Sequence, residues 1–226
     1  GSLNDIELNK TGVEQAEITG RYLRDFRMND KPFDIIFSSP LKRTRSTAEI
    51  IAKNIGYDED KIKYMKILEE IDNGLLSVGK NREEMLLDKF YDKYFELVEE
   101  LNNIQDPIRK QESYEKVDEI LNKYYQYETM DQLRSRLVPF VEILKELDVD
   151  KILVISHGGT IQGLNRYIMN IEHIIGDYTY GNNCHITYYN YVDGKFKLVL
   201  PPNTRHFKIY DKIRSKLRSN YDIINT

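Results

Sequence analysis

Two places where an apolar run passes straight into a helical pattern limit the folds open to this chain. Phe33-Asp34-Ile35-Ile36-Phe37 is a short β-rich run that ends at Ser38-Ser39-Pro40, and helical spacing follows through Ala48, Ile51 and Ile55. Lys151-Ile152-Leu153-Val154-Ile155-Ser156 is a second apolar run, which His157-Gly158-Gly159-Thr160 turns into a helix carrying Ile161, Leu164, Ile168 and Ile171. Strands that each feed a helix share a sheet by running parallel, with the helices packed over its faces. The expected fold class is therefore α/β, a three-layer α/β/α arrangement with a mostly parallel sheet. Ser39 followed by Pro40 predicts an N-cap with proline in the first helical position.

The remaining segments fit that frame. Val13, Ala16, Leu23 and Phe26 predict a helix from about Gly12 to Met28, broken by Lys31-Pro32. Met130, Leu133, Leu137, Phe140, Leu144 and Leu147 form one stripe, which predicts a sheet-covering helix from Met130 to Leu147. Ile186 to Val192 and Phe196 to Leu200 flank Asp193-Gly194-Lys195 and predict a hairpin near the sheet edge. His206 to Asn220 reads as a basic, helical tail. Between Leu75 and Tyr127 the character changes. Leu87, Phe90, Tyr94, Leu97 and Leu101 predict one amphipathic helix, and Tyr114 to Tyr125 a second, richly charged one. This segment is expected to be a helical cap insertion, with an ordinary solvated helix pair as the alternative. A chain of 226 residues suits one domain over 1–226 carrying such an insert at 75–127.

Composition narrows the partners. Hydrophobic residues make up 40% and charged residues 31%, a mixture that supports a packed core rather than a disordered polymer. The 33 Lys+Arg nearly balance the 37 Asp+Glu, which argues against a dedicated nucleic-acid binder. No run approaches the roughly 18 to 20 consecutive apolar residues of a membrane span, and no signal-peptide core opens the chain, so no membrane partner and a cytoplasmic location are expected. Cys184 is the only cysteine, which rules out an intrachain disulfide or a cysteine zinc cluster. It reads as a small buried hydrophobe.

A pocket for a phosphoryl group needs cationic donors, amides at helix starts and a proton donor for the leaving oxygen. Ser38-Ser39-Pro40-Leu41-Lys42-Arg43 puts Arg43 one turn into a helix that starts at the carboxyl end of a strand, where open α/β sheets bind ligands. Ser156-His157-Gly158-Gly159 occupies the second such junction, with glycines that let backbone approach a ligand. Leu68-Glu69-Glu70-Ile71-Asp72-Asn73-Gly74 lies between them and offers carboxylates, and Tyr127-Glu128-Thr129 opens the helix before the second strand.

In this order the stretches resemble the histidine phosphatase superfamily, the phosphoglycerate-mutase-like fold. Asp5, Leu8, Gly12, Gln15 and Ala16 are similar to D-x-P-L-T-x-x-G-x-x-Q-A, with Glu7 for the usual proline and Asn9 for the usual threonine. Ser39-Pro40-Leu41-Lys42-Arg43 with Thr47-Ala48 is similar to S-P-L-x-R-A-x-x-T-A, and Leu68, Glu70 and Gly74 to L-x-E-x-x-x-G. Glu128, Thr129 and Arg136 resemble the G-E-S-x-x-x-x-x-x-R helix, with Tyr127 at the glycine. Val154 to Thr160 closely matches V-x-S-H-G-G-T, and Asn183 resembles the asparagine of a late edge strand.

The family's nucleophilic histidine belongs to an R-H-G triplet at the end of a strand just upstream of the stretch matching Asp5 to Gly12, and neither strand nor triplet is in this sequence. His157, His173, His185 and His206 are the only histidines, and His157 matches the family's second histidine. Either the triplet lies upstream, or the protein is a relative without a nucleophile. The resemblance implies Glu70 as general acid and base, Arg43 as the phosphoryl clamp, His157 as a donor to the same oxygens, and Gly158 and Asn183 as substrate-binding helpers. It implies no metal and no cofactor. The implied activity is phosphomonoester hydrolysis through a phosphohistidine, on a phosphorylated small molecule or a phosphoprotein, with oligomeric state open. A phosphoglycerate mutase is the first alternative, weakened by Asn73 where mutases carry a tyrosine. A pseudophosphatase that binds a phosphorylated ligand or a protein is the second.

Overall fold

Asn9 sets the start of the first helix, its Oδ1 accepting from the Gly12 amide at 2.8 Å. Asn9 thus does the capping work available to the threonine it stands in for. In a computed structural model of the chain, which describes residues 5–27, 32–74, 96, 99–100, 103–170 and 182–212, helix α1 runs Lys10–Arg27. Strand β1 (Ile35–Ser38) feeds helix α2 (Lys42–Ile55), and a two-residue strand β2 (Lys63–Tyr64) follows. Helices α3 (Pro107–Tyr125) and α4 (Met130–Glu146) lead to strand β3 (Ile152–Ile155) and helix α5 (Gly158–Met169). Strands β4 (Ile186–Val192) and β5 (Lys195–Asn203) close the series, with a helical stretch over 205–212.

The sheet is parallel in the order β2-β1-β3, with Ile35 opposite Ile152 and Ser38 opposite Ile155. Successive side chains leave a strand on opposite faces. Ile36, Leu153 and Ile155 pack with Leu23 of α1 and Ala48, Ile51 and Ile55 of α2. Ile35, Phe37, Ile152 and Val154 pack on the other face with Leu133, Leu137 and Phe140 of α4 and Leu164 of α5. Both faces are covered, so the strands read as continuous apolar runs, and the layers are helix, sheet, helix as expected. Leu133, Leu137 and Phe140 are fully buried, each contributing roughly 1.5–3 kcal/mol.

Two expectations are corrected. Ser39 is not the N-cap of α2: Leu41 holds that position, with no side-chain cap. A residue before proline is pushed to extended backbone, and the Ser39 amide accordingly donates to the Ile155 carbonyl at 3.0 Å, prolonging the strand ladder. The helix start is closed instead by Asp5, whose Oδ1 accepts from the Lys42 amide at 2.7 Å. The late hairpin forms through a tight turn at Asp193-Gly194, with φ of 53° and 73°, but β4 and β5 make their own two-stranded sheet. They reach the main core through side chains, Ile186 on one face and Phe196 on the other. Among the described residues, β3 pairs with β1 alone in the parallel sheet.

Of the expected cap, α3 corresponds to the second helix, packed through buried Val117 and Leu121 and through Asp118 Oδ2, which accepts from the Met130 amide at 2.9 Å. The helix expected over Leu87 to Leu101 lies almost entirely outside the described residues, as do Met28, Ile171 and the tail beyond 212. Thr129 and Gln132 form a capping box at the start of α4. Among the described residues no helix is long and apolar enough to cross a membrane. Cys184 is half-buried, in a positive-φ turn position.

Candidate functional site

Both strand-to-helix junctions deliver side chains to the carboxyl ends of β1 and β3. His157 stands in the N-cap position of α5 and is only 6% exposed. Its Nε2 lies 2.7 Å from Ser39 Oγ, and Thr44 Oγ1 lies 3.0 Å from Nε2 and 3.2 Å from Nδ1. Burial, and then the charge of Arg43, push the imidazole down to about 3. It is neutral near pH 7 and carries one ring proton.

Arg43, in the first turn of α2, is half-buried; burial pulls its guanidinium down while the carboxylates of Glu70 and then Asp5 pull it up. The guanidinium remains charged at any ordinary pH. Arg43 therefore acts electrostatically on both His157 and Glu70.

Glu70 is fixed by amides. Its Oε1 accepts from its neighbour Ile71 at 2.9 Å and from Thr160, in the first turn of α5, at 3.2 Å. This close seat depends on Gly159, where an added Cβ would lie 2.8 Å from Glu70 Oε1. At Gly158 a Cβ would meet no side chain of the described residues within 4 Å. So of the two glycines expected to admit a ligand, Gly158 borders open space and Gly159 is filled by the carboxyl group.

Around Glu70 the loop is held through its main chain. Ser156 Oγ donates to the Leu68 carbonyl at 2.7 Å and Thr160 Oγ1 to the Glu69 carbonyl at 2.6 Å. Arg136 grips Glu128 with two bonds, Nε to Oε1 at 2.7 Å and Nη2 to Oε2 at 2.9 Å. A cavity of about 580 Å³ lies against this loop, with Lys66, Glu69, Glu70, Asp72, Gln126 and Arg136 among its lining.

The structure thus groups Arg43, Glu70, His157 and Gly158. Asn183 lies in the exposed turn before β4. Sequence reasoning passed over Ser39 and Thr44 as partners of His157 and Thr160 as the partner of Glu70. Thr44 directly follows Arg43, and Ser39 and Thr160 fall inside the two junction motifs, but their order in the sequence does not show which side chain each meets. Among the described residues no group of three His, Cys, Asp or Glu is arranged to hold a metal ion.

Strand-to-helix junctions that carry a guanidinium and a neutral imidazole make this an α/β protein with charged and polar side chains gathered at the carboxyl edge of its parallel sheet, the edge at which open α/β sheets bind ligands. The chain belongs to the histidine phosphatase superfamily (branch 1), whose model matches residues 1–204. It is 55% identical over 47 residues to the uncharacterized phosphatase PhoE of Bacillus subtilis, a match covering 21% of this chain and only 22% of that protein's length. It is 29% identical over 180 residues to the 2,3-bisphosphoglycerate-dependent phosphoglycerate mutase of Borreliella afzelii, covering 74% of this chain and 70% of that one. The fold is similar to the crystal structure of phosphoserine phosphatase from Entamoeba histolytica in complex with 3-phosphoglyceric acid, with a TM-score of 0.57 and 23% identity over 90% of this chain and 87% of that one.

Proposed function

We propose that this chain carries the phosphate-holding and proton-transferring part of a phosphomonoester hydrolase, whose nucleophilic histidine lies upstream of Gly1 in an R-H-G triplet. The observation that carries the reading is the convergence of Arg43, Glu70 and His157 at the carboxyl ends of β1 and β3. Arg43 and the ring N–H of His157 bind the phosphoryl oxygens, joined by the Gly158 amide, with Asn183 as a further helper. The upstream imidazole attacks phosphorus as the bond to the ester oxygen breaks, and Glu70 gives its proton to the departing alkoxide. Water then attacks the phosphohistidine, Glu70 takes the water proton, and the N–P bond breaks to release phosphate. Because Oε1 of Glu70 already accepts from two amides, the transferred proton resides on Oε2. The scheme uses no metal. A phosphorylated small molecule is the substrate class, a reading supported by the mutase and phosphoserine phosphatase relatives.

The test compares residues 1–226 with a version extended to a native upstream R-H-G. The extended protein is expected to hydrolyse an aryl phosphate, and residues 1–226 to lose on the order of 10⁶ of that rate while still binding vanadate. Rapid turnover by residues 1–226 alone would overturn the reading. Transfer of phosphate within phosphoglycerate, without release, would move it to the mutase. A gene with no upstream triplet, encoding a protein that binds vanadate but releases no phosphate, would make it a phospho-ligand binding module.

A further inference from the structure

We infer that Glu128 and Arg136 are positioning residues for Glu70, holding its loop so that the carboxyl group faces the leaving oxygen. This rests on the reading of Glu70 as proton donor. Neither side chain bonds Glu70 itself. Instead they bracket it along the main chain. Arg136 Nη1 donates to the carbonyls of Ile67 at 2.6 Å and Glu69 at 3.1 Å, on the amino side of the acid. On its carboxyl side, the Asp72 amide donates to Glu128 Oε2 at 3.1 Å, and the Glu128 amide donates to the Asp72 carbonyl at 2.8 Å.

The two grips are joined by the two-bond contact between Arg136 and Glu128, whose side chains are 24% and 14% exposed. A planar fork fixes direction as well as distance, and partial burial limits screening of the pair by solvent. Residues 69–73 have no helix or strand ladder of their own. Their geometry must come from outside, and Glu128, Arg136, Ser156 and Thr160 supply it. Ser156 and Thr160 belong to the β3–α5 junction and would hold the loop wherever that junction goes. The Glu128–Arg136 pair ties the loop to α4 instead, fixing the acid against a second rigid element.

A misplaced acid has a kinetic signature distinct from general loss of structure. Poor leaving groups need the proton and good ones do not. In the extended protein, Arg136→Gln and Glu128→Ala should slow an alkyl phosphate about 10- to 100-fold and an aryl phosphate less than threefold, with KM little changed. Glu128→Gln keeps an acceptor for the Asp72 amide and should recover part of the loss. Removing one member strands a half-buried charge, so the double variant Glu128→Leu/Arg136→Met, which also removes the acceptor of the Asp72 amide, serves as the form that stays folded without the pair. Hydrogen exchange at the Asp72 amide supplies the second reading and is expected to rise about tenfold or more in the double variant. Equal losses for alkyl and aryl esters, or unchanged alkyl turnover, would overturn the inference. Should the unsubstituted extended protein hydrolyse neither ester, the phosphatase reading fails separately. Exchange at Asp72 then decides whether the pair holds the loop, and an unchanged rate refutes it.

Discussion

At the start of α2 the first helical amide, that of Lys42, is taken by Asp5 Oδ1 at 2.7 Å, whereas at the start of α5 no side chain of the described residues stands within 4 Å of where a Gly158 Cβ would be. The two junctions share a grammar of strand, turn and helix, yet they contribute differently. A helix start closed by the protein's own carboxylate has spent that amide, and what it offers a ligand is a side chain, Arg43. The α5 start also seats a carboxylate, Glu70 on the Thr160 amide, but beside Gly158 it leaves space in which an anion can meet the first turn and its share of the helix dipole. His157 joins the two, standing in the N-cap position of α5 while bonding Ser39 and Thr44 from the α2 junction.

The α5 junction is expected to govern rate, and the acid it seats is the place to break it. In the extended protein, Glu70→Gln should lower turnover of an alkyl phosphate by roughly 10² to 10⁴, and of an aryl phosphate by much less. Steady-state rates on matched esters check this. Equal losses would assign Glu70 a role in holding the loop rather than in moving a proton.

The adjacent glycines sharpen the contrast within α5. Gly159→Ala puts a methyl 2.8 Å from both Glu70 Oε1 and Ile71 Cγ2, so the carboxyl group must move. A displacement of a few tenths of an ångström to one ångström should cost about 10- to 100-fold in alkyl phosphate turnover. Gly158→Ala meets no other side chain of the described residues within 4 Å and should leave the alkyl-to-aryl ratio unchanged while weakening vanadate binding. If the two substitutions behave alike, the division between acid seat and ligand space is wrong.

How much of this was readable in the sequence depends on whether the determinant is local. Apolar runs buried on both faces announce β1 and β3 by composition alone, and the α4 stripe from Met130 to Leu147 ends within a residue of the helix. The cap of α2 was not readable, because Asp5 lies 37 positions from Lys42 and only the folded chain brings them together. The separate β4–β5 sheet was missed for a related reason: a hairpin's own pattern fixes its turn and register but says nothing of what its outer edge meets. Among the site residues, Arg43, Glu70 and His157 came from motif order. Their hydroxyl partners Ser39, Thr44 and Thr160 came only from geometry.

Acid tests the burial of two neutral histidines, His157 in the site and His206 away from it. His157 is held down to about 3 by burial and then Arg43, and His206 to about 4 by burial, against an ordinary value of 6.5. Below pH 6.5 the unfolded chain binds protons that the folded one refuses. Stability is therefore fully present above that pH and falls as pH drops toward the folded values, by about 1.4 kcal/mol per pH unit for each histidine. His206→Gln, which leaves the site alone, should make urea unfolding less steeply dependent on pH between 4.5 and 5.5 by about that amount. Identical slopes for the two proteins would mean that His206 is not buried in its neutral form.

The smallest effect is expected at the closed junction, and it is one of stability rather than rate. Asp5→Ala removes the acceptor of the Lys42 amide and leaves that donor to water, since the contact is exposed. Loss of a helix cap costs about 0.5–2 kcal/mol, and an exposed site belongs at the lower end of that range. The same substitution removes a negative charge that acts on Arg43. A less compensated guanidinium attracts an anion more strongly, so vanadate should bind equally well or up to about threefold tighter at low salt, the gain fading as ionic strength rises. Chemical denaturation and a vanadate titration at two salt concentrations read the two effects separately. A loss of vanadate binding beyond about tenfold, with the fold intact, would show that Asp5 arranges Arg43 for its ligand, and the closed junction would then belong to the site as fully as the open one.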